Sequence, residues 1–517
     1  MHDQNRYQRL RLTGLNRRHF LSGAAALAAT TGIVRAETPK RGGNLTLGLE
    51  NASSNDTLDP ALLTGRYVIV VGLQLYDTLV DVDEQLLTKP SLAESWATKP
   101  GAKEWVFKLR QSVTFHNGRE LTADDVVYSL NRHRGADSKS SARALLAGVS
   151  DIKGTGPHEI TITLGSGNAD FPYVLADYHF GIIPEGSNPT AGTGTGAFLL
   201  DAFQPGVRAV TKRNPNDWRS DRGFVDSVES LAINDPTARL SALQSGRVHL
   251  ISRVDPKVAA LVESNPELQL FNVSGAGHCT FAMRCDQAPY NNNELRLALK
   301  NAVDREALVK GVLRGYGKIG NDQPIPSFDP FYAPDIPQYS YDPDKARFHF
   351  KKAAPTEAIV ISVSDTAAPG AVEAVQVFQE TARKAGITIQ IDRTPNDGYW
   401  DNVWMKKPFS VGAWSGRPTA DLMLSQVYQS DAKWNETYWK RPEFDQLLLQ
   451  ARSELDESKR KAIYRELQLM IHDDGGAIIP IFFNYLDAGS KKVRGFVLNP
   501  TYQMSGFRAP EKVWLET

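Results

Sequence analysis

Cysteine is almost absent: Cys279 and Cys285 are the only two in 517 residues. That excludes a disulfide-stapled scaffold and the paired-cysteine motifs of zinc and redox sites. The two flank Thr280-Phe281-Ala282-Met283-Arg284, which reads as a strand. A strand rises about 3.3 Å per residue, which carries the pair beyond disulfide reach. Free thiols are the expectation. No apolar run approaches the roughly 20 residues of a membrane span. Net charge is also lacking, since 59 Lys and Arg balance 59 Asp and Glu. This argues against nucleic acid or an anionic membrane as the main partner. The ten histidines are scattered without metal-ligand spacing, so no metal or cofactor is expected. GxSxG, HExxH and Walker motifs are missing, so no catalytic residue is assigned. A secreted hydrolase built on paired carboxylates is the one enzyme class that spacing leaves open.

What is present begins with an export-type segment. Asn16-Arg17-Arg18-His19-Phe20-Leu21 resembles a twin-arginine motif and precedes a mild apolar region. Val34-Arg35-Ala36 fits the small-x-small cleavage rule, so residues 1–36 read as a cleavable signal. Ser22 stands where such signals often carry lysine, which leaves the general secretory route open. No cysteine follows the cleavage site, so a lipid anchor is not expected.

The most informative stretch runs from Trp105 to Arg132. Phe107, Leu109 and Val113 alternate with polar positions, as in a half-buried strand. Asn117-Gly118 marks a turn. Thr122 is an N-cap with Asp125 at N3, opening an amphipathic helix through Val126, Val127 and Leu130. Further on, residues 359–363, 371–384 and 387–391 read as strand, helix and strand, hence a parallel pair. Trp400 and Trp404 are spaced to share a helix face. Trp434 and Trp439 read as helix-packing residues.

With Leu92-Ala93-Glu94-Ser95-Trp96, the Trp105–Arg132 stretch resembles the signature of the extracytoplasmic solute-binding proteins of peptide/nickel-type ABC importers (solute-binding protein family 5). That signature reads A-E-S-W, W-x-F-x-L-R, V-x-F-H-x-G, then L-T-A-x-D-V-x-x-S. Gly192–Phe198 resembles the family's G-T-G-P-F crossover, and Arg213–Trp218 its R-N-P-x-Y-W, with Asp217 replacing tyrosine. The resemblance implies an α/β, two-lobed type II periplasmic binding fold with an additional domain and a discontinuous first lobe. Lobe 1 comprises 37–75, 190–270 and 485–517, the additional domain 76–189, and lobe 2 residues 271–484.

The resemblance also implies a ligand site. Arg66 and Tyr67, after the Asn55–Pro60 turn, lie close to ligand, unless Asp59 and Arg66 only cap and pair locally. Trp414-Ser415-Gly416-Arg417 lines up with the loop that holds the charged end of bound peptides. This sequence departs from the pattern: Arg417 and Ala420 occupy the two acidic positions, and Asp421 is shifted by one. Arg417 offers a planar fork for carboxylate or phosphate, or forms a local pair with Asp421. The expected ligand residues are Arg66, Tyr67, Trp400, Trp414, Ser415, Gly416, Arg417 and Asp421. His278 is a structural histidine or a nickel or haem ligand. The implied function is capture of a short peptide or an anionic amino-acid conjugate, such as an opine, and delivery to a membrane permease. The implied protein is a monomeric, soluble periplasmic carrier without catalysis. An oligosaccharide, metal chelate or haem is the alternative cargo.

Overall fold

Alternation of apolar and polar residues over Asn44–Leu49 buries Leu45, Leu47 and Leu49 completely, and this strand sits inside one large sheet. The computed structural model describes residues 38–396 and 398–516; the export-type segment 1–36 lies outside them. Twelve strands form the sheet. One half contains Asn44–Leu49 between the parallel strands Ser227–Ala232 and Leu250–Ile251. The other half contains Ile389–Arg393, Ile359–Val363 and Phe409–Trp414, all parallel. The parallel pair expected around helix Ala371–Lys384 therefore forms.

Two long strands run through both halves. Leu268–Met283 pairs antiparallel with Ile481–Ser490, in register from Leu268↔Ser490 to Ser274↔Asn484. The register then shifts before His278↔Phe482. The expected borders 270/271 and 484/485 thus fall inside continuous strands, and the irregularity lies where one half gives way to the other. A bulge at this point bends the strand between the two halves.

The signature stretch builds the core of a separate four-stranded sheet, Ala93–Thr98, Glu104–Leu109, Glu159–Leu164 and Val149–Gly156. Trp105, Phe107, Leu109, Val113, Phe115, Leu121, Val126 and Leu130 share one buried cluster. Burial of each large side chain stabilises by roughly 1.5–3 kcal/mol. Thr122 and Asp125 form a reciprocal capping box at the helix Ala123–Asn131.

The family-like crossover at Gly192–Phe198 passes across the end of helix Arg66–Leu75. A Cβ on Gly194 would stand 2.1 Å from the Leu75 carbonyl oxygen, so only glycine admits the crossing. His116 of the signature stretch holds this turn: its backbone N–H donates to Gly194 O at 2.8 Å, and its Nε2 lies 3.0 Å from Gly196 O. Asp77, Asp217, Arg222 and Glu511 tie the same region to the C-terminal segment. Arg222 donates to both Asp77 oxygens, at 2.6 and 3.0 Å, and to Asp217. Burial alone would raise the Asp77 pKa, but Arg222 holds it well below the carboxylate range. Asp217, the residue that departs from the family tyrosine, is therefore spent on Arg222.

Cys279 and Cys285 remain separate thiols. Burial raises both above their ordinary pKa, so neither is a nucleophile at neutral pH. Among the described residues, no helix is long and apolar enough to cross a membrane.

Candidate functional site

In open α/β sheets, ligands bind beyond the carboxyl ends of the parallel strands. Here those ends come from both halves. Strand Phe409–Trp414 runs into Ser415, Gly416 and Arg417, and strand Asn44–Leu49 runs into Glu50. Ser415 is exposed, and Arg417 is half-buried. Gly416 is packed against the bulge of the long strand, where a Cβ would meet the Ala276 Cβ at 2.4 Å. No other residue fits without moving that strand.

Arg417 is held from its own loop. Its Nε donates to Gln426 Oε1 at 2.7 Å, and its Nη1 to the Ser415 and Gly416 carbonyls at 3.1 and 3.2 Å. Its guanidinium carbon lies 5.8 Å from the Trp414 ring centre. These are neutral acceptors, so the charge of Arg417 is not cancelled by its bonds. The local pair with Asp421 does not form. Asp421 is buried in the first turn of helix Ala420–Val427 and accepts from Arg452 Nε at 3.0 and 3.1 Å. Burial raises its pKa, with Arg452 opposing. The shift of one residue in the sequence has turned this carboxylate into the helix bundle and away from the loop.

Arg66 stands on the opposite half. It donates to Glu50 Oε1 at 2.6 Å, and Glu50 also takes the Ser252 hydroxyl. Burial would raise Glu50, but Arg66 and Ser252 bring it below its ordinary pKa. Asp59 does not pair with Arg66. It caps the short helix Pro60–Leu62 and accepts from Arg132 at 2.6 Å. Tyr67 is 0% exposed and its hydroxyl has no partner. It therefore belongs to the core in this structure: one step along the helix turns it about 100° from Arg66, into the buried cluster with Leu45, Leu47 and Leu49.

The charges of the two arginines both act on Tyr485. Burial raises the pKa of this phenol, and the charges of Arg66 and Arg417 both act to lower it. A Cβ on Gly277 would lie 3.3 Å from its hydroxyl. Tyr178 has the same two arginines near it, and its ring meets Tyr502 edge-on at 6.5 Å. Glu50, Tyr178, Tyr485 and Tyr502 come from remote parts of the chain, and sequence reasoning missed all four. The one available signal was the position of Glu50 directly after the Leu45–Leu49 alternation.

The tryptophans form a ladder. Trp400 meets Trp404 at 5.7 Å, Trp404 meets Trp414 at 6.0 Å, and Trp414 meets Trp434 at 6.1 Å. The Trp404 and Trp414 indoles donate to the two oxygens of buried Glu436, at 2.6 and 3.0 Å. Trp414 is 7% exposed and packs in the buried cluster with Met423, Leu424 and Trp439. Trp400 and Trp434 are 43% and 48% exposed and form the open ends. Two expectations are corrected here. The helix spans only Tyr399–Asn402, so Trp404 lies beyond it. Trp434 does not pack between helices, whereas Trp439 does, fully buried with its indole on Asp474 at 2.9 Å.

His278 is fully buried, and burial lowers its pKa to about 4. That favours the neutral ring, with Nδ1 3.3 Å from the Ala276 carbonyl oxygen, as expected of the structural alternative. Among the described residues, no group of His, Cys, Asp and Glu is placed to hold a metal ion.

Comparison with known proteins adds to this geometry. Residues 88–436 match the profile of the bacterial extracellular solute-binding proteins, family 5. A probable D,D-dipeptide-binding periplasmic protein of Escherichia coli K12 is 26% identical, over 92% of this chain and 95% of that protein. A glutathione-binding protein of Escherichia coli O1:K1 is 24% identical, over 92% and 95%. The structure of PBP AgaA in complex with agropinic acid, from A. tumefacien R10, superposes with a TM-score of 0.77. Its identity is 25%, and it covers 92% of this chain and 99% of that one.

Proposed function

This chain belongs to the bacterial extracellular solute-binding proteins of family 5, substrate-binding components of ABC importers, and we propose that its cargo is a short peptide or anionic amino-acid conjugate. The carrying observation is that Arg417, in the loop after strand Phe409–Trp414, is held only by neutral acceptors, and that its charge and that of Arg66, from the opposite half of the sheet, both act on buried Tyr485. A ligand acid group there would gain charge-assisted bonds from a loop whose acceptors leave Arg417 positive. The related proteins bind ligands of this kind by name: a D,D-dipeptide, glutathione and agropinic acid. The cargo passes to a membrane permease, and the protein works as a monomer in the periplasm. Arg17 and Arg18 support export through the twin-arginine route. Replacing both with Lys should leave precursor in the cytoplasm, and an unchanged periplasmic yield would assign the general secretory route instead.

The ladder with exposed ends at Trp400 and Trp434 favours a second reading, an oligosaccharide stacked on indole faces. Native mass spectrometry of protein taken from the periplasm separates the two. An anionic peptide or conjugate is the expected co-purifying mass. A neutral sugar would sink the first reading.

A further inference from the structure

Beside the Arg66–Glu50 pair lies an arginine that the fold presents at a cost in backbone strain. Arg253 follows the short strand Leu250–Ile251, which runs parallel to Asn44–Leu49. Its side chain therefore leaves from the carboxyl end of the neighbouring strand to the one that delivers Glu50. Arg253 is left-handed, with φ +52°, a conformation that a long side chain adopts only when its surroundings impose it. Those surroundings are on both sides of the residue. Its N–H donates to Asp487 Oδ1 at 3.1 Å, and its carbonyl accepts from Arg239 Nη2 at 3.2 Å.

Arg253 is exposed, and its guanidinium makes no hydrogen bond or ion pair among the described residues. Charge near it is unbalanced. Burial lowers its pKa, and so do Arg66 and Arg239; Glu50 and Asp255 oppose them. Glu50 is already spent on Arg66 and Ser252. Asp255 is turned to the N–H of Lys257 at 2.8 Å. Asp487 gives its two oxygens to the backbone of Arg253 and Met504, and burial raises its pKa to about 7. Arg66 and Arg239 therefore add positive charge at an arginine that has no carboxylate of its own, and an incoming anion is favoured there.

Building on the anionic-cargo reading, we propose that Arg253 is a specificity-determining residue that receives a second oxyanion of the ligand, carboxylate or phosphate. Arg417 and Arg66 hold the first. The cargo therefore carries two acid groups.

The dipeptides Ala-Glu, Ala-phosphoserine and Ala-Gln test this by calorimetry on the mature chain, with glutathione and its glycine amide as a second pair. All three dipeptides keep the main-chain carboxylate, and only the first two add an oxyanion. The wild-type protein should prefer at least one of those two over Ala-Gln by about ten-fold. Which one it prefers distinguishes carboxylate from phosphate. Arg253→Asn and Arg253→Gly both tolerate the left-handed backbone. They should leave the ligand-free Tm unchanged or raised, and bring the acid-to-amide ratio close to one. Arg417→Ala should weaken Ala-Glu and Ala-Gln alike; if it weakens neither, the anionic-cargo reading fails by itself. The role of Arg253 is overturned if the wild-type protein takes no diacid better than its amide, total absence of binding included. It is equally overturned if Arg253→Asn leaves the ratio intact.

Discussion

Arg417 is the residue at which this site departs most from the family loop. Its neighbours are carbonyls and an amide side chain, which orient the fork without neutralising it. Charge-assisted hydrogen bonds contribute about 1.5–3 kcal/mol. Arg417→Ala should therefore weaken an anionic ligand about ten-fold or more in calorimetry. Arg417→Lys should recover only part, because the planar fork is lost. The loss should be larger for a C-terminal acid than for its amide; equal losses would make Arg417 a loop-shaping residue. Asp487 makes a second residue-level prediction. Two backbone N–H groups favour its charged form, but burial outweighs them and raises its pKa to about 7. Its folded pKa thus exceeds the unfolded value near 3.9. The folded state holds the extra proton between those two values, so this group's contribution to stability falls as pH rises from about 4 to 7. The slope is at most about 1.4 kcal/mol per pH unit. Asp487→Asn should remove that slope from a plot of stability against pH, while costing roughly 1–3 kcal/mol at pH 5, because its amide group faces a backbone donor. An unchanged slope would show that Asp487 is ionised throughout.

Elements carry the next level. The capping box of Thr122 and Asp125 and the Asn117-Gly118 turn were legible because each is a local rule of backbone satisfaction. The strand Glu104–Leu109 was legible because every second residue is buried. The segment around Trp400 and Trp404 was not, since the chain ends its helix at Asn402 and turns left-handed at Met405. Spacing brought the rings together without the helix that suggested it. Helix Ala420–Val427 shows the same limit. Asp421 looked like a ligand group because it falls one residue from an acidic position of the family loop, and it anchors the helix to Arg452 instead. Asp421→Ala should leave Arg452 partly buried without its carboxylate and destabilise the fold by about 3 kcal/mol. Ligand affinity measured on folded protein should stay within about two-fold. A large loss of affinity with unchanged Tm would return Asp421 to the site.

At the scale of the whole molecule, the additional sheet touches both halves. Asp77 and Arg222 bind its entry segment to the first half, and Lys512 pairs with Glu84 there. Its other contact is with the helical pair of the second half. Asp170 pairs with Arg460, and the Ala169 N–H donates to Arg452 O at 2.7 Å. Lys257 and Glu373 also meet across the halves, at 3.2 Å. A hinge motion about the two long strands would separate Asp170 from Arg460. Asp170→Asn should favour an open form. Small-angle scattering should show a larger radius in ligand-free protein, and apparent affinity should fall by about ten-fold, because less protein is competent to bind. No change in either would mean that the contact persists through opening.

The sequence by itself determined the family, the α/β class and the local elements, since these depend on periodicity, caps and turns a few residues apart. It also singled out Arg417, because a charge reversal within an aligned loop is visible in one dimension. Only the tertiary structure decided which charges meet. Arg66 and Arg417 are 351 positions apart in the chain, and nothing local says that the charges of both act on Tyr485. The same holds for Asp421 and Arg452, and for Tyr67, whose fate depended on which face of its helix the first half covered. Electrostatic pairing and burial act through space, and the folded sheet, by turning the carboxyl ends of strands from both halves toward one place, sets those distances.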